Sequence, residues 1–258
     1  MLQSIINLGC IKMDELNYYN STKKNIYFFI VIPIVLNIIL VGCYFSGISL
    51  LQHIVSPNDG FLTRESGLLE QLQNIYLLFI LFIFTKNIIK REQKDEKIFF
   101  TLLSIVFLFL FLEEIDYGLN LYEFFLGHAS GIELRNWHNQ TVDGHRQNVS
   151  YFKQLIDIAN IIWFVLIPLL AYKINFQIPI LKSLMPNRFF IIGFILTALY
   201  SSITHSLDNM GLSIINGEGG SLTGNISEFR EHNTYYLYLL YALQIINTKL
   251  TLRFKANI

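Results

Sequence analysis

Three acids stand directly after an apolar run in the middle of the chain. The stretch FLFLFLEEIDYG contains Glu113, Glu114 and Asp116, so the first carboxylates follow six apolar residues without a break. Two adjacent carboxylates repel each other, and a metal ion, an Arg or a His nearby relieves that repulsion. Positioned carboxylates and imidazoles also act as general acids and bases. We therefore predict that Glu113 and Glu114 form a catalytic site together with His138.

Further acids and histidines stand near the ends of other apolar runs. Carboxylate and imidazole groups together suit Zn²⁺ or another divalent cation. The predicted metal ligands are Glu70, His138, His205 and Glu231. The residues predicted to bind substrate or to support the site are Glu65, Glu133, Asp208, Glu228 and His232. The alternative is that each acid only reaches water from a helix end, and Glu228 and Glu231 also suit the positive N-terminal end of a helix.

The composition predicts which elements carry these residues. The chain is 53% hydrophobic and only 15% charged, which is too apolar for an ordinary soluble domain. Runs of about 20 apolar residues are long enough to cross a bilayer. Six such runs occur, at 26–47, 69–89, 98–117, 155–174, 189–207 and 233–250. We predict an all-α polytopic membrane protein with six transmembrane helices, made of a tail (1–25), a membrane domain (26–250) and a second tail (251–258).

The positive charges orient this predicted bundle. Of the 19 Lys and Arg residues, 14 fall in the two tails and in the loops on the same side as the tails. The positive-inside rule then places both termini in the cytoplasm. All six histidines and 14 of the 19 acids fall on the outer side. Because residues 1–25 lack a cleavage pattern, the first span is expected to be an uncleaved anchor.

Two of the outer segments have features of their own. The longest outer segment contains LYEFFLG (121–127), which predicts a short amphipathic helix at the membrane interface. The Gly-rich stretch NGEGGSLTGN (216–225) predicts a flexible loop. Neither the scattered basic residues nor the two cysteines form a nucleic-acid or metal motif, and we predict no nucleic-acid partner.

Three motifs resemble a group of uncharacterised bacterial multi-spanning membrane proteins. That group reads roughly R-E-D-G-x-x-E entering one span and E-E-I-S-W-G-Q leaving the next, followed by a Glu and N-L-H-N. This chain has RESGLLE (64–70), EEIDYGL (113–119) and ELRNWHN (133–139) in the same order. The resemblance implies a shared polar site and a bacterial inner (plasma) membrane location. The positions that it carries over are Glu65, Glu70, Glu113, Glu114, Glu133 and His138.

A second, weaker resemblance concerns chemistry. The alkaline ceramidase-like membrane hydrolases also place Ser, Asp and His residues at helix ends around a zinc ion. This chain is similar in style, although His205 and His232 lie on different predicted spans and no paired His motif occurs.

The leading functional hypothesis is a metal-dependent hydrolase or transferase that acts on a lipid or lipid-linked substrate. A carboxylate would be the general base toward a metal-bound water. The alternative is a non-enzymatic membrane partner of an envelope or defence system, docked through its acidic outer surface and exposed aromatic residues. A small transporter that couples to protons or cations is a third interpretation, although the sequence lacks the paired broken helices typical of transporter sites.

Overall fold

The computed structural model describes residues 22–58, 67–127, 141–142, 145–146, 149–173, 184–223 and 225–247. Most of these residues are helical, and the strands are two short hairpins. The prediction of an all-α fold is confirmed. Because backbone polar groups have no water partners in lipid, a helix that bonds its own backbone is the element suited to an apolar chain.

Three helices are long and apolar enough to cross a membrane. They are α1 (Thr22–Tyr44), α3 (Leu68–Lys90) and α8 (Phe189–Asn209). They agree closely with the first, second and fifth predicted runs. Two further long helices, α4 (Lys94–Glu114) and α9 (Glu228–Asn247), correspond to the third and sixth runs but carry more polar residues.

The fourth predicted run is a helix interrupted by a π-turn. It consists of α6 (Val149–Ile161), a π-turn (Ile162–Leu166) and α7 (Ile167–Lys173). Two short helices complete the set, α2 (Ser49–Val55) and α5 (Leu119–Leu126). The prediction of a short helix at LYEFFLG is confirmed by α5, which ends where Gly127 adopts a left-handed conformation.

Helices α1, α4 and α8 run antiparallel to α9. The end of α1 meets the start of α9, where the ring centroids of Tyr44 and Phe229 are 5.7 Å apart. Tyr235 near the start of α9 donates a hydrogen bond to Glu114 at the end of α4. Phe190, at the start of α8, contacts Tyr241 in the second half of α9.

Helices α3 and α6 run parallel to α9. Near the start of both helices, the Gln73 side chain of α3 donates to the Glu228 carbonyl of α9. The Asp157 carboxylate of α6 accepts a hydrogen bond from Arg230 of α9 at 3.0 Å. Helix direction therefore alternates along the chain through α1, α3, α4, α6–α7, α8 and α9.

Helix α9 is the centre of the bundle. It packs against α3 and α8 and carries ten buried residues, more than any other helix of the described chain. Its apolar positions join the main core, in which Leu237 and Leu240 lie against aromatic residues of α1, α3 and α8. Polar residues are frequent in the first half of α9, so the central helix supplies side chains to a polar layer at one end of the bundle.

A reciprocal amide pair connects α1 to α9. Asn37 donates to the Asn233 carboxamide oxygen at 2.6 Å, and Asn233 donates back to Asn37 at 2.8 Å. Both side chains are buried. Interhelical hydrogen bonds of this kind hold membrane helices in register, because a buried amide without partners costs about 1–3 kcal/mol.

We expect the two asparagines to be energetically coupled. In a double-mutant cycle of Asn37→Ala and Asn233→Ala, the coupling energy for unfolding in mixed micelles should be about 0.5–1.5 kcal/mol, within the range measured for such pairs. The first substitution should lower the free energy of unfolding by more than the second substitution lowers it further in the double variant. If the losses of unfolding free energy in the two single variants simply add up in the double variant, the reciprocal hydrogen bonds between Asn37 and Asn233 are contradicted.

The Gly-rich stretch at 216–225 begins with the turn and second strand of a hairpin, and the flexibility predicted for the rest of it stays a prediction. Strands β3 (Ile214–Ile215) and β4 (Glu218–Gly219) pair antiparallel around Asn216 and Gly217, whose φ angles are +55° and +86°. An Asn-Gly pair with positive φ at both residues is the preferred two-residue hairpin turn. The hairpin contacts the loop after α2, where Asn58 donates to the Gly219 carbonyl at 2.7 Å. The other strands, β1 (Thr141–Val142) and β2 (His145–Arg146), form the second hairpin.

Candidate functional site

A pocket of about 100 Å³ lies between α4, α6 and α9 at the end of the bundle where the acids gather. Helix α9 forms its floor, and α4 and α6 form its two sides. Within the described residues, α4 and α6 do not pack extensively against each other, so the floor helix is accessible between them. The residues that line the pocket are Phe109, Leu110, Glu113, Glu114, Ile156, Asp157, Asn160, Arg230, Glu231, Thr234, Tyr235 and Tyr238.

A carboxylate–tyrosine pair joins one side of this pocket to its floor. The Tyr235 hydroxyl donates a hydrogen bond to Oε1 of Glu114. Glu231, Thr234, Tyr235 and Tyr238 follow one another at spacings of three, one and three residues, which places them on one face of α9. Tyr235 is 9% exposed, so the hydroxyl that holds Glu114 is itself held by surrounding protein. The pair fixes the position of a carboxylate at a cavity wall.

Glu113 is anchored by the turn that follows α4. Tyr117 donates a hydrogen bond to Oε1 of Glu113, which is buried. The turn needs three successive left-handed residues, Asp116 at φ +49°, Tyr117 at φ +54° and Gly118 at φ +92°. Such conformations cost about 1–3 kcal/mol each for residues other than Gly. The two adjacent acids are therefore each bonded to a different tyrosine, one from the local turn and one from α9.

Two polar contacts attach α6 to α9 along the other side of the pocket. Arg230 and Asp157 form an ion pair at 3.0 Å, and both side chains are partly exposed. One turn further along α6, the Tyr238 hydroxyl donates to the Asn160 carboxamide at 2.9 Å. An exposed ion pair stabilises the fold by about 1 kcal/mol or less. The pair therefore mainly sets the position of α6 relative to the pocket floor.

Glu70 lies in the first turn of α3, and Glu228 and His232 lie in the first two turns of α9. All three are buried, and none of them lines the pocket described above. Gln73 connects the helices by donating to Glu228, and Asn225 donates to the same carboxylate at 2.6 Å. His232 packs against the ring of Tyr76 at 5.4 Å. Among the described residues, Nδ1 of His232 and Oε1 of Gln73 have no hydrogen-bond partner.

The two site residues predicted on α8 lie elsewhere. The side chain of His205 is exposed, and His205 is not among the residues that line the pocket. Asp208 accepts a hydrogen bond from Ser213 at 2.6 Å, which fixes the chain as it leaves α8 for the hairpin. Asp208 therefore has a structural partner in the segment after α8 and does not line the pocket.

Glu65, Glu133 and His138 lie outside the described residues. Of the three predicted metal ligands that the structure describes, Glu231 lines the pocket, whereas Glu70 is buried outside it and the side chain of His205 is exposed. Across the described part of the chain, no group of three or more His, Cys, Asp or Glu side chains is placed to hold a metal ion. The metal site stays a prediction, and it depends on ligands that His138 and its segment would supply.

The metal prediction has a direct test in the composition of the purified protein. If His138 and Glu231 share an ion, the detergent-purified protein should contain about one Zn²⁺ or other divalent ion per chain. A catalytic zinc site normally has three protein ligands, so the loss of one ligand should weaken metal binding. His138→Ala and Glu231→Gln should each lower the metal content several-fold, as measured by mass spectrometry of the metals. A metal-free wild type would contradict the prediction and leave a site made of carboxylates and tyrosines.

Several pocket residues were not predicted from the sequence. Tyr238, Arg230, Asp157 and Asn160 all lie on helices assigned as spans or span ends. The signal that would have indicated them is the polar face of α9, where Glu231, Tyr235 and Tyr238 recur at helical spacing. Their partners on α4 and α6 required knowledge of which helices are neighbours.

The chain has no match among known protein families, curated proteins or solved structures. The resemblance of its three motifs to uncharacterised bacterial membrane proteins therefore stays a prediction, and the site must be interpreted from its own geometry.

Proposed function

We propose that the chain is a six-span protein of a bacterial inner membrane with both termini in the cytoplasm. Three helices have the length and hydropathy of membrane spans. The alternating direction of six helices supports the higher count, since consecutive spans must cross in opposite directions. In this orientation the pocket lies at the extracytoplasmic end, and most of the Lys and Arg residues lie at the other end.

The proposed activity is that of a hydrolase or transferase acting on a lipid or lipid-linked substrate. The observation that carries it is the pocket between α4, α6 and α9, in which Tyr235 of the floor is hydrogen-bonded to Glu114 of the α4 side. Phe109 of α4 lines the pocket, and 38% of its surface is exposed. A lipid could thus bring its headgroup to the pair while its acyl chains remain along the apolar surface of α4.

Glu114 is suited to be the general base. In hydrolysis, its carboxylate would take a proton from water while the water oxygen bonds to the carbonyl or phosphoryl centre of the substrate. The protonated Glu114 would then return the proton to the departing alkoxide, which leaves the enzyme in its starting state. Tyr235 would keep the carboxylate oriented throughout. In a transferase, an acceptor alcohol takes the place of water.

The test is lipid turnover by the purified full-length protein. Vesicles made from a bacterial lipid extract should lose intact lipid and gain released headgroup or lysolipid, measured by mass spectrometry, with time and with enzyme concentration. The reaction should stop with the Tyr235→Phe, Glu114→Gln double variant. Unchanged lipid composition in lipid extracts and in lipid-linked sugar preparations would contradict the proposal.

The alternative function, docking of a membrane partner, is favoured by one observation. Tyr122 and Phe125 on the short helix α5 are 53% and 82% exposed. Exposed aromatic residues are typical of protein interfaces and equally of helices at the membrane interface. Tyr122→Ser with Phe125→Ser should abolish capture of a partner if docking is the function, and should leave lipid turnover in place if catalysis is.

A further inference from the structure

We propose that a second pocket, at the opposite end of the bundle, binds the headgroup phosphate of an anionic phospholipid. This pocket of about 610 Å³ lies between the first turns of α1, the start of α8 and the last turns of α9. Its volume is within the range of ligand-binding pockets in proteins. The proposed orientation of the chain places it at the inner leaflet, and the proposed catalytic pocket has no part in the inference.

The first support is the charge of the lining. Lys24 lines this pocket, and within the described part of the chain no carboxylate does so. Lys24 also has no ion-pair partner among the described residues. The N-terminal end of α1 and the C-terminal end of α9 both lie here, and their partial charges are similar in size and opposite in sign. The ammonium group of Lys24 therefore decides the preference, which is for an anion.

The second support is a set of neutral donors beside the lysine. The side-chain oxygen of Asn187 accepts a hydrogen bond from the Phe189 N–H at 2.9 Å, so the other end of this carboxamide is its NH₂ group. Over the described ranges, neither this NH₂ group nor the side chain of Asn25 has a hydrogen-bond partner. Both residues line the pocket. Phosphate oxygens accept hydrogen bonds from carboxamides as well as from lysine.

The walls of the pocket are held by hydrogen bonds of their own. Gln244 of α9 accepts a hydrogen bond from the Asn187 N–H at 3.0 Å and donates to the Met185 carbonyl at 2.7 Å. On the α1 side, Tyr236 donates to the Phe28 carbonyl at 2.8 Å. A site whose walls are already fixed loses little conformational freedom when a ligand binds. The polar end of the pocket is therefore formed in the absence of a lipid.

The third support is an apolar surface that continues from the pocket along α1. Phe28 lines the pocket and is 43% exposed. Val31, Val35 and Ile38 are also exposed and follow Phe28 at spacings of three, four and three residues, which places them on one stripe of the helix. Because α1 is long and apolar enough to cross a membrane, an acyl chain can lie along this stripe while the phosphate contacts Lys24. A soluble phosphate compound would gain nothing from the stripe, which favours a lipid as the source.

The test compares two lipids with identical acyl chains. Full-length protein in detergent is offered equimolar amounts of anionic phosphatidylglycerol and zwitterionic phosphatidylethanolamine, and the bound lipid is counted by native mass spectrometry. The expected preference for phosphatidylglycerol is about fivefold, the equivalent of about 1 kcal/mol, which one Lys contributes near an anionic lipid surface. Equal binding of the two lipids, or a preference for phosphatidylethanolamine, would overturn the inference.

Two neighbouring lysines provide matched variants that assign the preference to the pocket. Lys24→Gln should reduce the preference for phosphatidylglycerol to less than about twofold. Lys23→Gln removes the same charge at the same end of α1, from an exposed side chain that does not line the pocket, and should keep most of the preference. Equal losses in the two variants would show attraction to a charged surface rather than binding in the pocket, and would overturn the inference.

Glycerol 3-phosphate distinguishes the lipid from a soluble source of the same phosphate chemistry. It should displace bound phosphatidylglycerol only weakly, because it lacks the acyl chains that lie along α1. Displacement at concentrations comparable to the lipid would show a site for soluble phosphates and would overturn the lipid source. A preference for phosphatidylglycerol that depends on Lys24, in a protein without lipid turnover, would uphold this inference while contradicting the proposed hydrolase.

Discussion

Glu114→Gln should lower kcat for lipid turnover by about 10²- to 10⁴-fold, the usual contribution of a general base. Glutamine can still accept the hydrogen bond from Tyr235, so the pocket should keep its shape. It cannot take a proton from water, and the chemical step should fail while lipid binding remains. The measurement is the initial rate of headgroup or lysolipid release from vesicles at saturating lipid.

Glu92→Gln is the control for this experiment, since it is the same change at an exposed site outside the pocket. It should leave kcat within about twofold of wild type, because surface substitutions far from a site rarely alter it. A Glu114→Gln variant with normal turnover would remove Glu114 from the mechanism. A loss of turnover together with a lower melting temperature would be a folding effect, and circular dichroism distinguishes the two.

Gly67→Ala should destabilise the fold by about 1–3 kcal/mol or more, the range for added bulk in a packed site. Gly67 precedes α3, and a Cβ built there would lie 2.2 Å from the Val55 carbonyl oxygen and 2.8 Å from Pro57. The clash is with backbone, which cannot rotate away. Thermal unfolding in detergent should therefore begin several degrees lower than in wild type.

Gly42→Ala is the matched control, because a Cβ at Gly42 in the last turn of α1 meets nothing within 4 Å. It should leave stability unchanged or raise it by up to about 1 kcal/mol, the difference in helix propensity between the two residues. Equal effects of the two substitutions would show that the loop after α2 does not lie against Gly67.

The sequence was a good guide to the long apolar helices. The run 69–89 and the helix Leu68–Lys90 differ by one residue at each end, because apolar length is the property that a membrane selects. It was a poorer guide where polar residues begin. The run 98–117 was extended past Glu114, whereas the helix ends there, and three left-handed residues follow.

The hairpin at Asn216 and Gly217 shows a different limit of prediction from the sequence. The Gly content of the stretch indicated flexibility, but the Asn-Gly pair is a specific turn signal that the flanking β3 and β4 strands bear out. Strands of two residues are too short to produce an alternating pattern. The turn residues were therefore the one local sign of this structure.

The candidate site, too, could be predicted from the sequence only in part. The adjacent acids at the end of α4 identified one wall of the pocket, since they interrupt an apolar run. Asp157 and Tyr238 could not be linked to it, because helical periodicity indicates which residues share a face but not which faces meet. His205 is a possible ligand near the end of a helix, yet its side chain is exposed at the surface and does not line the pocket.

Photo-crosslinking tests the central claim, that a lipid headgroup enters the pocket between α4, α6 and α9. The protein is reconstituted with a phospholipid that carries a diazirine in its headgroup, illuminated, and analysed by peptide mass spectrometry. The account predicts crosslinks at Glu114, Glu231 or Thr234, which line the pocket, and their loss when unlabelled lipid is added. Crosslinks confined to outward-facing residues such as Ile38 and Phe82 would contradict it, and the carboxylate–tyrosine pair would then have only a structural role.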